Sequence, residues 1–348
     1  MNAPAANLAE RWASLIAEQP RLRIRDAAAK LGVSEAELLQ TKDGSEVRPL
    51  VCANWRQFAE EFGTLGEVMS LVRNEWVVIE KTGVFENMDM TGHAGLVLGE
   101  DIDLRIFFAH WHSAYAVVNN TGDRVLRSIQ VFDKHGDAII KVYCKKDEQI
   151  EAFEAFVAKY TPAEAPEPAT YKPAPPPKGV GQAPENFDLA KFQEQFLAIQ
   201  DTHDFYPLIM KHKVPRTIAL ANLPEGYSWK VPVSAVDFIL EQARDRKIDI
   251  MCFVGSRGVI EIHTGPVNEV KELGDWINVL DPTFNLHFLR TGVKQVWVVR
   301  KPSVDGIVTS VEFFDENGSD VAMFFGRRKP GEPELETWRE LVKDIPRV

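Results

Sequence analysis

SIQVFDKHG, Ser128 to Gly136, returns 182 residues later as SVEFFDENG, Ser310 to Gly318. The same offset pairs Asp103-Leu104-Arg105-Ile106 with Asn285-Leu286-His287-Phe288 upstream, and Tyr143 with Phe325 downstream. A register that holds without a gap over about forty residues marks an internal duplication. Within each copy, apolar and polar residues alternate, and Asp-Lys-His-Gly or Asp-Glu-Asn-Gly separates the runs. That pattern predicts antiparallel hairpins joined by short turns. Each copy ends in a helical pattern, Glu148 to Tyr160 and Glu334 to Val342, and each begins with one, Leu8 to Leu39 and Phe187 to Ala221. The expected class is α+β, internally duplicated: two large antiparallel sheet halves with flanking helices, related by a pseudo-two-fold.

Between the copies, Thr161 to Asn186 holds eight of the 21 prolines and almost no large apolar residue. Such a composition buries little and favours an extended strap. The expected organisation is residues 1–160, a linker at 161–186, and residues 187–348. The 348-residue length and 45% hydrophobic content suit two globular cores. A net charge of −11 argues against nucleic acid or an anionic membrane as the main partner. Cys52, Cys144 and Cys252 lie far apart, which suggests neither a zinc site nor a disulfide framework and fits a reducing cytoplasm. No run reaches the roughly 18 apolar residues of a membrane helix, and the N-terminus lacks a basic start with an apolar core. The chain is therefore expected to be neither exported nor membrane-embedded.

Several residues are candidates for chemistry. Phe192, Phe196, Ile199 and His203 follow helical steps, which places the His203 imidazole on an apolar stripe. Pro207 would then disturb the helix where it bonds the His203 carbonyl, so a helix junction is expected there, with Thr202 or Asp204 as a cap. A capping histidine and a metal or cofactor ligand both satisfy this pattern. His110 and His112, if on a strand, would point the same way, but no third ligand is identifiable. Arg23 to Leu39 reads as a helix-turn-helix with Gly32 at the turn and Ser34 capping. Glu35 and Glu37 stand where phosphates would need cations, which argues for a packing unit. Arg105, Lys301, Arg327 and Arg328 border apolar strands and would together suit an anionic ligand with a large apolar body.

Several segments in order resemble the cytoplasmic hemin-degrading or heme-trafficking factors of Gram-negative bacteria, the HemS/ChuS/PhuS type. They are GHAGL with His93, DLRIFF with Arg105, DTHDFY with His203, FVGSRG from Phe253, LDPTFNLHFL from Leu280, RKPSVDGIVTSVEFF from Arg300 and WRELV from Trp338. The resemblance implies one heme in a cleft between the C-terminal sheet and its helices. By position His203 resembles the proximal iron ligand, and Arg105 the distal arginine that interacts with water or oxygen at the iron. Arg216, Lys301 and Arg328 match positions that contact the heme propionates or flank the macrocycle, and Phe107 and Phe253 match cavity aromatics. Where relatives carry a glutamine and a tyrosine, this chain has Met323 and Phe325, so both hydrogen-bonding groups are absent. The N-terminal copy has no counterpart of Asp201-Thr202-His203-Asp204, so a single strong site is expected.

Two functions remain open on these residues. One is an enzyme that opens the porphyrin oxidatively and releases iron, with Arg105 catalytic and an external reductase as electron donor. The other is a heme chaperone standing between an inner-membrane heme importer and a separate heme oxygenase. A cofactor-free interaction protein is the third, blander alternative.

Overall fold

The computed structural model describes residues 5–42, 46–120, 124–177, 179–329 and 331–348. Its strands form two nine-stranded sheets. The chain divides into two compact units: residues 1–73, 80–175 and 256–261, and residues 74–79, 176–255 and 262–348.

In the first unit, strands Val47–Leu50, Ser113–Asn120, Val125–Phe132, Ala138–Cys144 and Glu67–Arg73 lie side by side in that order. The same unit also holds a separate meander of Asp103–Ile106, Gly95–Leu98 and Met88–Asp89. The second unit repeats the scheme with Ser228–Val231, Gln295–Lys301, Val308–Phe314, Asp320–Gly326 and Ile250–Gly255. Its meander is Phe284–Leu289, Trp276–Leu280 and Val270–Leu273.

Duplication extends to single hydrogen bonds. Asp133 Oδ1 accepts the backbone N–H groups of His135 and Asp137 at 2.8 and 3.1 Å, and Asp315 Oδ1 accepts those of Asn317 and Ser319 at 2.8 and 2.9 Å. Both turns end on a glycine at positive φ, Gly136 at 79° and Gly318 at 73°. Both hairpins also shift register at the same place, between Val131 and Phe132 and between Phe313 and Phe314. The α+β class and its duplication are as expected.

Helices cover each sheet with aromatic-rich cores. In the second unit Phe192, Phe196, Phe205, Leu208 and Ile209 from two helices pack on Trp297, Val299 and Phe314. In the first, Ala36 and Leu39 pack on Tyr115, Val117 and Phe132. The helix-turn-helix forms as expected: Ile24–Leu31 stops at Gly32, with φ 69°, and Ser34 starts Glu35–Leu39 with a reciprocal capping box to Glu37. Glu35 is buried against Lys141, which makes this helix pair part of a core.

Residues 162–177 lack helix or strand, as their prolines dictate, yet this segment docks on the first unit. Gln40 donates to the Ala169 carbonyl at 3.1 Å, and the Tyr171 hydroxyl lies 2.8 Å from those of Ser113 and Tyr115. Pro166 to Ala169 wall one side of a groove of about 320 Å³.

Candidate functional site

The helix Leu189–Leu197 ends six residues short of His203, the last residue of the predicted apolar stripe, and this corrects the placement of His203. Phe192, Phe196 and Ile199 are buried as expected, but the His203 side chain is 91% exposed. The chain leaves the helix after Leu197 and restarts as a single 3-10 turn, Thr202–Asp204, before the helix Phe205–His212. Asp201, rather than Thr202 or Asp204, caps that turn, accepting the His203 backbone N–H at 2.8 Å. Pro207 sits in the first turn of the new helix, where its missing N–H is harmless. The junction itself was predicted, but not the outward turn of the ring.

Asp201 Oδ1 also lies 2.7 Å from His203 Nδ1. The His203 backbone N–H, followed by the ring and Arg328, holds the Asp201 carboxyl below its ordinary range. An ionised carboxylate only accepts, so Nδ1 carries the proton, and in the neutral ring the lone pair is on Nε2. Among the described residues nothing bonds Nε2. Exposed apolar side chains stand on the adjoining segments: Tyr206 and Met210 on the following helix, and Val304 on a loop whose N–H donates to the Gln200 carbonyl at 2.9 Å.

Beneath this turn lies a buried charge cluster that the sequence reading missed. Glu312 is fully buried in strand Val308–Phe314. Its Oε2 accepts Arg216 Nε and Nη2 at 3.0 and 2.8 Å, and its Oε1 accepts Lys301 Nζ at 2.6 Å and Ser310 Oγ at 2.8 Å. Burial alone would raise this carboxyl, but Arg216 and Lys301 outweigh it and hold it at about 2. Lys301 responds in the opposite direction, lowered by its own burial against the pull of Glu312. Asp320 Oδ1 lies 3.4 Å from Arg216 Nε. A single acid in the otherwise apolar run Val311 to Phe314 was the available signal.

Aromatic rings knit the cluster to the histidine turn. The Phe205 ring lies 5.6 Å from Arg216 Cζ and 5.5 Å from Lys301 Nζ. Lys301 Nζ is also 5.6 Å from the Phe325 ring, which packs on Phe253 with centroids 5.0 Å apart. Met323 puts its sulfur 3.7 Å from Arg216 Nη2. Arg328 pairs with Asp305 at 3.1 Å, on the loop that bonds Gln200. His203, Arg216, Lys301, Arg328 and Phe253 therefore share one side of the second unit.

Arg105 and Phe107 belong to the first unit. Arg105 pairs with Asp103 and donates to the Leu104 carbonyl at 3.1 Å, and the Phe107 N–H donates to the Gly258 carbonyl at 2.9 Å. His110 and His112 do not form the expected strand pair. His110 ends a 3-10 turn, and His112 donates its Nε2 proton to the Thr170 carbonyl at 3.3 Å. The sharp bend into buried Trp111 removes the two-residue periodicity that the pairing needs.

The first unit lacks the charge cluster at the equivalent positions. Gln130 stands in place of Glu312, Asn119 of Lys301 and Lys141 of Met323. Gln130 donates to Ser128 Oγ at 3.0 Å, and Lys141 pairs with Glu35. Among the described residues no helix is long and apolar enough to cross a membrane.

Known proteins of this architecture share it along nearly their whole length. Holo-PhuS, a heme-binding protein from Pseudomonas aeruginosa, is 40% identical with a TM-score of 0.92, over 99% of this chain and 100% of that one. The heme degrading enzyme ChuS of Escherichia coli O157:H7 is 33% identical with a TM-score of 0.89, over 98% of this chain and 99% of that one. The hemin transport protein HmuS of Yersinia pestis is 33% identical over 338 residues, 97% of this chain and 96% of that protein. The Haemin-degrading HemS.ChuX domain matches twice, at residues 32–160 and 213–345, once on each copy of the repeat. With both copies matched and the architecture shared end to end, the chain belongs to the Haemin-degrading HemS.ChuX domain family.

Proposed function

We propose that the chain binds heme through His203 and, given electrons from an external donor and O2 or peroxide, supports oxidative opening of the ring with release of iron. The observation that carries this reading is the His203 side chain, 91% exposed, with Nδ1 engaged by Asp201. A neutral imidazole with a bare nitrogen is a common axial ligand for heme iron. The surrounding chemistry fits a porphyrin. Tyr206, Met210 and Val304 offer apolar surface to the macrocycle, while Arg216 and Arg328 offer charge to its carboxylates. Lys301 is buried and is assigned to the rear of the site, where it balances Glu312 and leaves Arg216 oriented.

Heme is the substrate and supplies the iron and conjugated ring on which the oxidation occurs. The protein's part is to fix the imidazole, hold the cations and wall the apolar face. Arg105 is given the catalytic role on the family resemblance, as a cation that stabilises negative charge developing during the reaction. Phe107 and Phe253 are assigned to the cavity wall. The expected setting is the cytoplasm, with an inner-membrane importer upstream and a reductase as donor.

A heme carrier that hands its cargo to a separate oxygenase is the second reading, favoured by the exposure of His203, since an open ligand allows transfer. Visible spectra of the hemin-loaded protein under air, with NADPH, a reductase and catalase, separate the two. Loss of the Soret band with a new tetrapyrrole absorbance supports the enzyme. A band that persists with catalase, and disappears only without it, leaves the carrier.

A further inference from the structure

We infer that Asp201 is a positioning residue for the iron ligand: its charge fixes the tautomer of His203 and makes Nε2 a stronger donor to ferric iron. The inference rests on the heme reading above and deepens it. One carboxylate oxygen takes two protons from the same residue, the backbone N–H at 2.8 Å and the ring Nδ1–H at 2.7 Å. Together these restrain both the position and the rotation of the ring. A carboxylate on the far nitrogen of a ligating imidazole pulls on its proton, adds electron density to the ligating nitrogen and favours the higher charge on the metal.

Two further contacts keep this arrangement in place. Asp201 starts the 3-10 turn in extended backbone, φ −132° and ψ 138°, with its carbonyl accepting the Asp204 N–H at 3.0 Å. The Val304 N–H of the neighbouring loop donates to the carbonyl of Gln200, the residue before Asp201, at 2.9 Å. A capping role alone would need only an acceptor at position 201, and an asparagine supplies one. The proposed role needs the negative charge.

Wild type, Asp201→Asn, Asp201→Glu and His203→Ala proteins loaded with hemin provide the test, through Soret spectra and potentiometric titration of the Fe(III)/Fe(II) couple. Asp201→Asn is expected to keep a wild-type Soret band while its preference for ferric over ferrous iron falls roughly tenfold, an upward shift of about 59 mV for one electron. Asp201→Glu is expected to recover part of that shift. An unchanged potential in Asp201→Asn, with the Soret band intact, overturns the role of Asp201 and leaves His203 as ligand. An unchanged Soret band in His203→Ala overturns the ligand assignment, and the role of Asp201 with it.

Discussion

Glu312 organises the polar interior of the second unit, because Arg216, Lys301 and Ser310 all donate to its carboxylate. Removing one member of a buried ion cluster strands the others without water or a partner. Glu312→Ala is therefore expected to cost about 3–5 kcal/mol in urea denaturation. Its folded-state pKa, about 2, lies below the ordinary carboxylate value, so its contribution is complete above that ordinary value and is lost as pH falls through 2. The wild type should accordingly lose stability in acid more steeply than Glu312→Gln, a difference visible in melts between pH 5 and about 2. His203 behaves differently, being exposed and outside any core. His203→Ala is expected to leave the melting temperature of the unloaded protein within about 2 °C while shifting the Soret maximum and weakening hemin binding at least about tenfold.

The two Asp-to-Gly turns are the elements that close the repeated hairpins. Both glycines have left-handed φ, where a side chain costs about 1 kcal/mol. Their surroundings differ. A Cβ on Gly318 would meet Thr217 Oγ1 at 3.4 Å, an ordinary contact, whereas one on Gly136 would overlap the Ser34 side chain that caps the next helix. Gly136→Ala should cost more than Gly318→Ala, by about 1–3 kcal/mol, in paired denaturation curves. Strand Val259–Gly265 carries a different tension. Burial of Glu261 outweighs the opposing pull of Ser70, Lys81 and the Val72 backbone and pushes its pKa up to about 8. The folded state therefore retains a proton there that the unfolded chain has already released, so stability falls as pH rises from about 4.3 to 8. Glu261→Gln should melt higher than wild type at pH 8 and nearly level with it at pH 4.

At the scale of the whole chain, one architecture occurs twice with different chemistry in its two interiors. Glu312, Lys301 and Met323 in one unit answer to Gln130, Asn119 and Lys141 in the other, and only the former carries Asp201-Thr202-His203-Asp204, between two of its helices. Hemin titration is accordingly expected to break at one equivalent per chain, and the break should vanish in His203→Ala. Two equal breaks in the wild type would count against that divergence.

The sequence by itself determined the duplication, the hairpins and turns, the paired helices and the helix junction at His203. All of these follow from local backbone preference and from alternation along a strand, which neighbours in the chain suffice to express. Only the tertiary structure decided that His203 faces outward, that Asp201 rather than Thr202 or Asp204 holds it, and that Lys301 and Arg216 meet on Glu312. Such arrangements depend on where strands and helices distant in sequence come to pack, and on which buried charge finds its partner there. The docking of the proline-rich segment belongs with them. Its composition showed that it could form no core of its own, but the partners of Tyr171 became evident only where Ser113 and Tyr115 stand side by side with it.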